Sequence, residues 1–265
     1  MKVGSLSASK LNTFFTCELQ YYAKYELGIK DPPGEPAKFG SAFHKIMETI
    51  VNTKKCPDIV AVAKEFDVIT RTDDLVKLTK STLQNGYLSN AKNIKAVEIG
   101  FDLPIKNRPT TNVRGFIDRL DLELDKNYAT VIDIKTGSHP FTKKELVDNI
   151  QAKVYALATK RLYPEITKLD MIFWFVKSQK RQLVEFDKYK IDAFEDELTN
   201  IADKIDKIVT PCPTENKYCK YCVYFSQCPV FNRKPVVTRQ DGSTLEIVPT
   251  FKKQPSASDV ALDGI

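Results

Sequence analysis

Residues 113–137, VRGFIDRLDLELDKNYATVIDIKTG, constrain what this chain can fold into more than any other stretch. The pattern reads as two strands joined by the polar turn Asp125-Lys126-Asn127, and each strand carries acid where apolar residues belong. In the first, Phe116, Asp118, Leu120 and Leu122 alternate onto one face. In the second, Val131, Asp133 and Lys135 share a face, while Ile132 and Ile134 take the other. An ionised carboxylate in an apolar row is costly unless something pairs with it. Two readings follow. These are salt-bridged strand residues, or Asp118 and Asp133 hold a divalent cation with Lys135 beside it.

Other candidates are spread along the chain. Residues 5–27 predict an amphipathic helix capped by Ser7 or Ser9, with Leu11, Phe14, Phe15, Leu19 and Tyr22 as its stripe and Cys17 among the aromatics. After the loop DPPGEP, a second helix opens at Gly40, and His44 borders its core face, as a hydrogen-bonded structural residue or as a ligand. Residues 57–90 predict further helices. Residues 94–105 alternate as a strand carrying Glu98, either near a metal or simply solvated. A helix over 143–163 puts Gln151 and Tyr155 on one face. Strands over LDMIFWFV and Arg181–Phe186 follow, then a charged helix over Ile191–Val209. A short hairpin is expected over Val236–Pro249 around Asp241-Gly242, and the last dozen residues are expected to be mobile.

Six cysteines point to a metal or cluster rather than to a disulfide scaffold. Cys219, Cys222 and Cys228 are spaced C-x2-C-x5-C, three thiolates in one loop and one short of a four-ligand site. Zinc fits such spacing too, although a second C-x2-C knuckle is absent. Cys56 and Cys212 read as structural. Forty Lys and Arg against 34 Asp and Glu give +6, which suits a polyanionic partner. No run approaches about 18 apolar residues, and the N-terminus lacks a secretory pattern, so a soluble, cytoplasmic protein without membrane partners is expected. There is no Walker-type phosphate loop and hence no helicase motor in this stretch.

Taken together, G-F-I-D (115–118), D-I-K-T-G (133–137), G-S-A-F-H (40–44) and Q-A-K-V-Y (151–155) resemble the PD-(D/E)XK nucleases, specifically the RecB-type exonuclease branch. The cysteines extend the resemblance to CRISPR-associated and AddB-like members that carry an iron–sulfur cluster. The resemblance spans roughly residues 5–233. It implies an α/β, restriction-endonuclease-like core, a central mixed sheet flanked by helices. The expected divisions are an N-terminal helical region over 1–93 with Cys17 and His44, the nuclease core over 94–210, a cysteine-cluster module over 211–233 closing on Cys17, and a partly flexible extension over 234–265.

The same resemblance implies Mg2+ or Mn2+ on His44, Asp118, Asp133 and the Ile134 carbonyl, with Glu98 a further candidate. Lys135 would act on the attacking water, and Gln151 and Tyr155 would position the strand. Cys17, Cys219, Cys222 and Cys228 would hold a 4Fe–4S cluster. The implied activity is a DNA exonuclease on single strands or free ends, in repair, recombination or CRISPR-type processing, working with a helicase, integrase or recombination partner. A structure-specific endonuclease or resolvase on the same core, and a catalytically silent nucleic-acid-binding module, are the alternatives. Tyr21, Tyr22, Tyr25, Tyr218, Tyr221 and Tyr224 are candidates for stacking bases or for packing the first helix and the cluster.

Overall fold

A computed structural model describes residues 3–29, 32–222, 224–231, 236–238 and 244–246. Both acid-bearing segments are strands in it. β1 (Ser5–Leu6), β2 (Ile94–Ile105), β3 (Arg108–Glu123), β4 (Tyr128–Lys135), β5 (Lys168–Phe175) and β6 (Lys180–Asp187) form one mixed sheet. Its order is β1-β3-β4-β5-β6, with β2 also paired to β3. The β3–β4 hairpin turns through a 3-10 turn at Leu124–Lys126 and a left-handed Asn127 (φ 50°), where the polar triplet predicted a turn.

β3 is long enough to serve three neighbours. β2 runs antiparallel along one edge of it, from Asp121 to Arg108. On the other edge β1 pairs at Asn112 and Val113, and β4 pairs only from Arg119 onward. Residues 114–118 therefore face a gap on that edge, and the sheet forks at Asp118. This fork positions the site described below.

The chain divides into two compact units, one joining residues 9–31 with 207–265 and the other holding 2–8 with 32–206. The single helix expected over 5–27 is interrupted. β1 is followed by α1 (Ala8–Thr16), an extended Cys17 (φ −165°, ψ 116°), α2 (Glu18–Tyr21) and a π-helical turn over Tyr22–Glu26. The break is sequence-specific: Cys17 leaves helical geometry, and its sulfur accepts the Thr214 N–H at 3.4 Å. β7 (Val236–Thr238) pairs antiparallel with β8 (Thr244–Glu246), inside the expected hairpin, while its turn at Asp241-Gly242 lies outside the described residues.

In the second unit, α3 (Glu35–Thr53), α4 (Ile59–Glu65) and α5 (Thr72–Gln84) cover one sheet face. Phe39, Phe43, Ile46, Met47 and Ile50 of α3 join one buried cluster with Ile132, Ile134 and Trp174, each such side chain stabilising by about 1.5–3 kcal/mol. α3 begins five residues before Gly40, because Pro36 fits its first turn. Gly40 allows close approach to the end of β4: a Cβ there would lie 3.2 Å from Thr136 Oγ1.

β4 and β5 are parallel, so the chain must cross over between them. That crossover carries α6 (Lys143–Val147) and α7 (Ile150–Leu162), separate helices where one was expected. Asn149 makes the break by capping α7, its side chain accepting the Ala152 N–H at 3.0 Å. α8 (Lys188–Asp206) follows β6. No helix among the described residues is long and apolar enough to cross a membrane.

Candidate active site

The site grows out of the fork. Where β3 leaves β4, the Asp118 carboxylate turns into the gap and accepts the Ile134 N–H at 2.7 Å. On β4, Asp133 is 1% exposed. Its Oδ1 accepts from Gln151 Nε2 at 2.7 Å, and its Oδ2 lies 2.7 Å from Lys135 Nζ. That second oxygen is an ion-pair partner only, accepting no hydrogen bond from any described residue, so a buried acceptor has spare lone pairs. Gln151 is fully specified: Oε1 accepts from Lys135 Nζ at 2.7 Å, and Nε2 also donates to Tyr155 Oη at 2.9 Å. Burial, and then the charges of Asp133 and Asp118, push the Tyr155 phenol far above its ordinary range, so it stays neutral.

Among the described residues, His44, Glu98 and Asp118 are the set of ligating groups whose atoms lie within 4.8 Å of one another. His44 Nδ1 is 3.2 Å from Glu98 Oε1 and 3.5 Å from Asp118 Oδ2, and Nε2 is 3.1 Å from the Ile134 carbonyl. The Ile134 carbonyl can only accept, so Nε2 donates to it, and a proton on Nδ1 facing Glu98 and Asp118 makes the ring an imidazolium. Burial alone would lower the pKa of His44. The Asp118 charge, the Glu98 hydrogen bond and the Asp133 charge outweigh it and raise the pKa from 6.5 to about 9. For Asp118, burial first and the Asp133 charge second push the pKa well above the carboxylate range, against the opposing pull of His44 and the Ile134 N–H. Glu98 reaches the cluster from a left-handed backbone (φ 49°) inside β2, a strained conformation for a non-glycine residue.

The imidazolium thus supplies the positive charge that a cation would bring to these acids. His44, Glu98, Asp118, the spare oxygen of Asp133 and the Ile134 carbonyl are the donors that could hold a hard divalent metal. Its binding must expel the His44 proton. Since the folded pKa is raised, the proton's contribution to metal-free stability is fully present below about 6.5 and is lost as pH rises through about 9. Mn2+ affinity should accordingly fall by about tenfold or more per pH unit below 9. Calorimetry in buffers of different ionisation enthalpy reads the proton release, and affinity independent of pH between 6 and 9 would contradict this account.

The first unit holds a second donor set. Cys17, Cys219, Cys222 and Cys228 line one small cavity of about 50 Å3. Each sulfur receives backbone N–H: Thr214 to Cys17, Asn216 to Cys219, Tyr224 to Cys222, and Val230 and Phe231 to Cys228. Burial raises the Cys222 and Cys228 thiols, the backbone N–H groups pull them down, and the neighbouring cysteines push them up again. No three of these sulfurs lie within 4.8 Å of one another among the described residues. Cys56 is exposed, and the Cys212 thiol donates to the Thr210 carbonyl at 3.8 Å.

The sequence candidates therefore fall into three groups. His44, Glu98 and Asp118 converge directly; Asp133, Lys135, Gln151 and Tyr155 form a connected hydrogen-bonded and ionic chain beside them; the four cysteines share their own cavity. Among the tyrosines, Tyr21 and Tyr224 are buried, the first edge-on to Phe14 and the second donating to the Ile29 carbonyl at 2.9 Å. Tyr218 and Tyr221 are exposed.

A family model described as the PD-(D/E)XK nuclease superfamily matches residues 5–229. Relatives include an ATP-dependent helicase/deoxyribonuclease subunit of Enterococcus faecalis, 24% identical over 214 residues covering 63% of this chain and 17% of that protein. The protein of the same name from Lactococcus lactis subsp. lactis is 23% identical over 210 residues, covering 68% and 19%. The chain thus spans less than a fifth of these relatives. A crystal structure of a candidate exonuclease from Eubacterium rectale shares the fold, with a TM-score of 0.51 at 10% identity over 82% of this chain and 88% of that one.

Proposed function

Because this chain belongs to the PD-(D/E)XK nuclease superfamily, we propose that it is an exonuclease hydrolysing phosphodiester bonds of single-stranded DNA or DNA ends in repair, recombination or CRISPR-type processing. The observation that carries this reading is Lys135, tied to Asp133 Oδ2 and Gln151 Oε1 at 2.7 Å each beside the His44–Glu98–Asp118 cluster. Nucleases of this superfamily use divalent metals, and Mg2+ or Mn2+ bound by His44, Glu98, Asp118, Asp133 and the Ile134 carbonyl supplies charge relief at the scissile phosphate and acidifies water.

The side chains supply the rest. Gln151 takes one Lys135 N–H and Asp133 holds the ammonium by charge, leaving N–H capacity on Lys135 to orient the attacking water and to stabilise charge developing on the phosphate oxygens. Water adds to phosphorus and gives up a proton to solvent, the bridging P–O bond breaks, and the departing oxygen takes a proton from solvent. Gln151 holds Asp133 and Lys135 in register, and the neutral Tyr155 anchors Gln151. The relatives named as helicase/deoxyribonuclease subunits support DNA as substrate and a helicase among the partners.

The test is a set of 5′- and 3′-labelled linear single and double strands, with a closed circle, incubated with Mg2+ or Mn2+. Shortening of linear single strands, with duplex attacked at frayed ends, is expected. Nicking of the circle with ends untouched would make the protein a resolvase. Tight DNA binding without cleavage under either metal would make it a silent binding module.

A 4Fe–4S cluster on Cys17, Cys219, Cys222 and Cys228 completes the proposal. Four sulfurs that receive backbone N–H, two of them (Cys222 and Cys228) raised by burial first and by the neighbouring cysteines after it, are a donor set suited to positive charge. Tetrahedral zinc on the same four sulfurs is the alternative, and metal analysis of the purified protein separates the two.

A further inference from the structure

The rung of the sheet next to the acidic cluster carries an exposed aromatic ring. Across β2 and β3, Val97 faces Arg119 and Ile99 faces Ile117, so Glu98 and Asp118 oppose one another between them. Their ligating oxygens lie within 4.8 Å, so both point to the same side. One two-residue repeat further along β3, about 7 Å away, the next rung on that side pairs Gly100 with Phe116. The intervening Ile117 is wholly buried, whereas Phe116 is 64% exposed.

Phe116 does not merely dangle. A Cβ on Gly100 would lie 3.1 Å from its Cε1, so the ring lies down on the β2 backbone where glycine leaves room, and its outer surface stays open. One register step on, the same device appears on the opposite face: a Cβ on Gly115 would lie 2.8 Å from Phe101 Cζ. That ring is buried and meets Tyr155 edge-on at 6.1 Å. Core packing accounts for Phe101, but not for Phe116. Beyond Phe116 the next outward rung is polar, an exposed Arg114–Asp102 pair at 3.2 Å. The ring is therefore an isolated flat apolar platform, one nucleotide's reach from the acids.

We propose that Phe116 is a stacking site for the nucleobase flanking the scissile phosphate. The proposal rests on the nuclease reading above and adds a reason for its substrate class. A base can lay its π-face on Phe116 only when it is unpaired and splayed from its neighbours, so single strands and frayed ends are accepted and closed duplex is not.

The test is binding of fluorescein-labelled oligo-dT and of the same strand with abasic residues, measured by anisotropy with Ca2+ in place of Mg2+ or Mn2+. Phe116→Leu should weaken oligo-dT binding by about tenfold, within the range of one lost stacking contact, and Phe116→Trp should retain it. Abasic strands should bind the wild type weakly and be indifferent to the substitution. Tyr189→Leu, which removes a still more exposed ring from α8, should change nothing. Unaltered binding by Phe116→Leu, or an equal loss in Tyr189→Leu, would overturn the platform. Should Phe116→Leu fail to fold, equal wild-type affinity for thymine-bearing and abasic strands would overturn it instead. Failure of the wild type to bind any DNA would sink the nuclease reading itself.

Discussion

Asp133→Ala is expected to abolish metal-dependent cleavage, by about a thousandfold or more, while the protein stays folded. The loss corresponds to the several kcal/mol of transition-state stabilisation that a correctly held metal provides. Asp133 holds two partners at once: Oδ1 fixes Gln151 and Oδ2 fixes Lys135. Its removal would take away a proposed ligand and free the lysine together. In the metal-free state the Asp133 charge pushes up the neighbouring Asp118 but supports the His44 proton and pairs with Lys135, so its removal has opposing effects on the fold. Thermal melting without metal should accordingly change little. Cleavage of a labelled single strand at saturating Mg2+, set beside the melting curve, reads both arms. Near-normal turnover would remove Asp133 from the chemistry.

The acids were legible because a strand shows its faces with a period of two, and the β3–β4 register keeps Asp118 and Asp133 on matching rows. What local pattern could not carry was the fork between them. It depends on β1, two residues without periodicity, meeting β3 at Asn112 and Val113. Glu98 was a candidate with two open readings for a similar reason, since its left-handed backbone arises at a glutamate inside a strand, where alternation alone does not announce it. Arg119 gave no signal in the strand pattern, yet it is buried, gripping Asp121 at 2.7 and 2.5 Å and donating to the Tyr87 carbonyl, the last a contact that only distant sequence supplies. The Asn149 break was different. Its capping side chain was readable, but apolar periodicity running on from 143 masked it.

Cys17→Ser should bleach the protein as completely as Cys222→Ser. Protein purified anaerobically should be brown, absorbing broadly near ~400 nm as thiolate-held iron–sulfur centres do, and either serine should remove the colour and the bound iron. The two cysteines come from opposite ends of the described chain, yet they line one cavity, and charge on Cys17 raises the Cys222 thiol. Serine cannot replace the soft thiolate that iron prefers. Cys56→Ser, at an exposed position outside that cavity, should keep both colour and iron. Stoichiometric zinc without iron in the wild type would refute the cluster and leave the nuclease site untouched.

The interrupted helix at Cys17 also bears on the order of events at the ribosome. The sulfur of Cys17 meets the backbone of Thr214, 197 residues later. At roughly 5–20 residues per second, about 10–40 s separate their synthesis. Residues 32–206, by contrast, are contiguous and emerge in one run. The segments that form the sheet and carry its acids therefore emerge while Cys17 still waits for its companions. If these thiols take up the proposed cluster, its assembly would be a late step in this protein's biogenesis, and an iron-starved cell would accumulate chains whose sheet has formed before their thiols have closed.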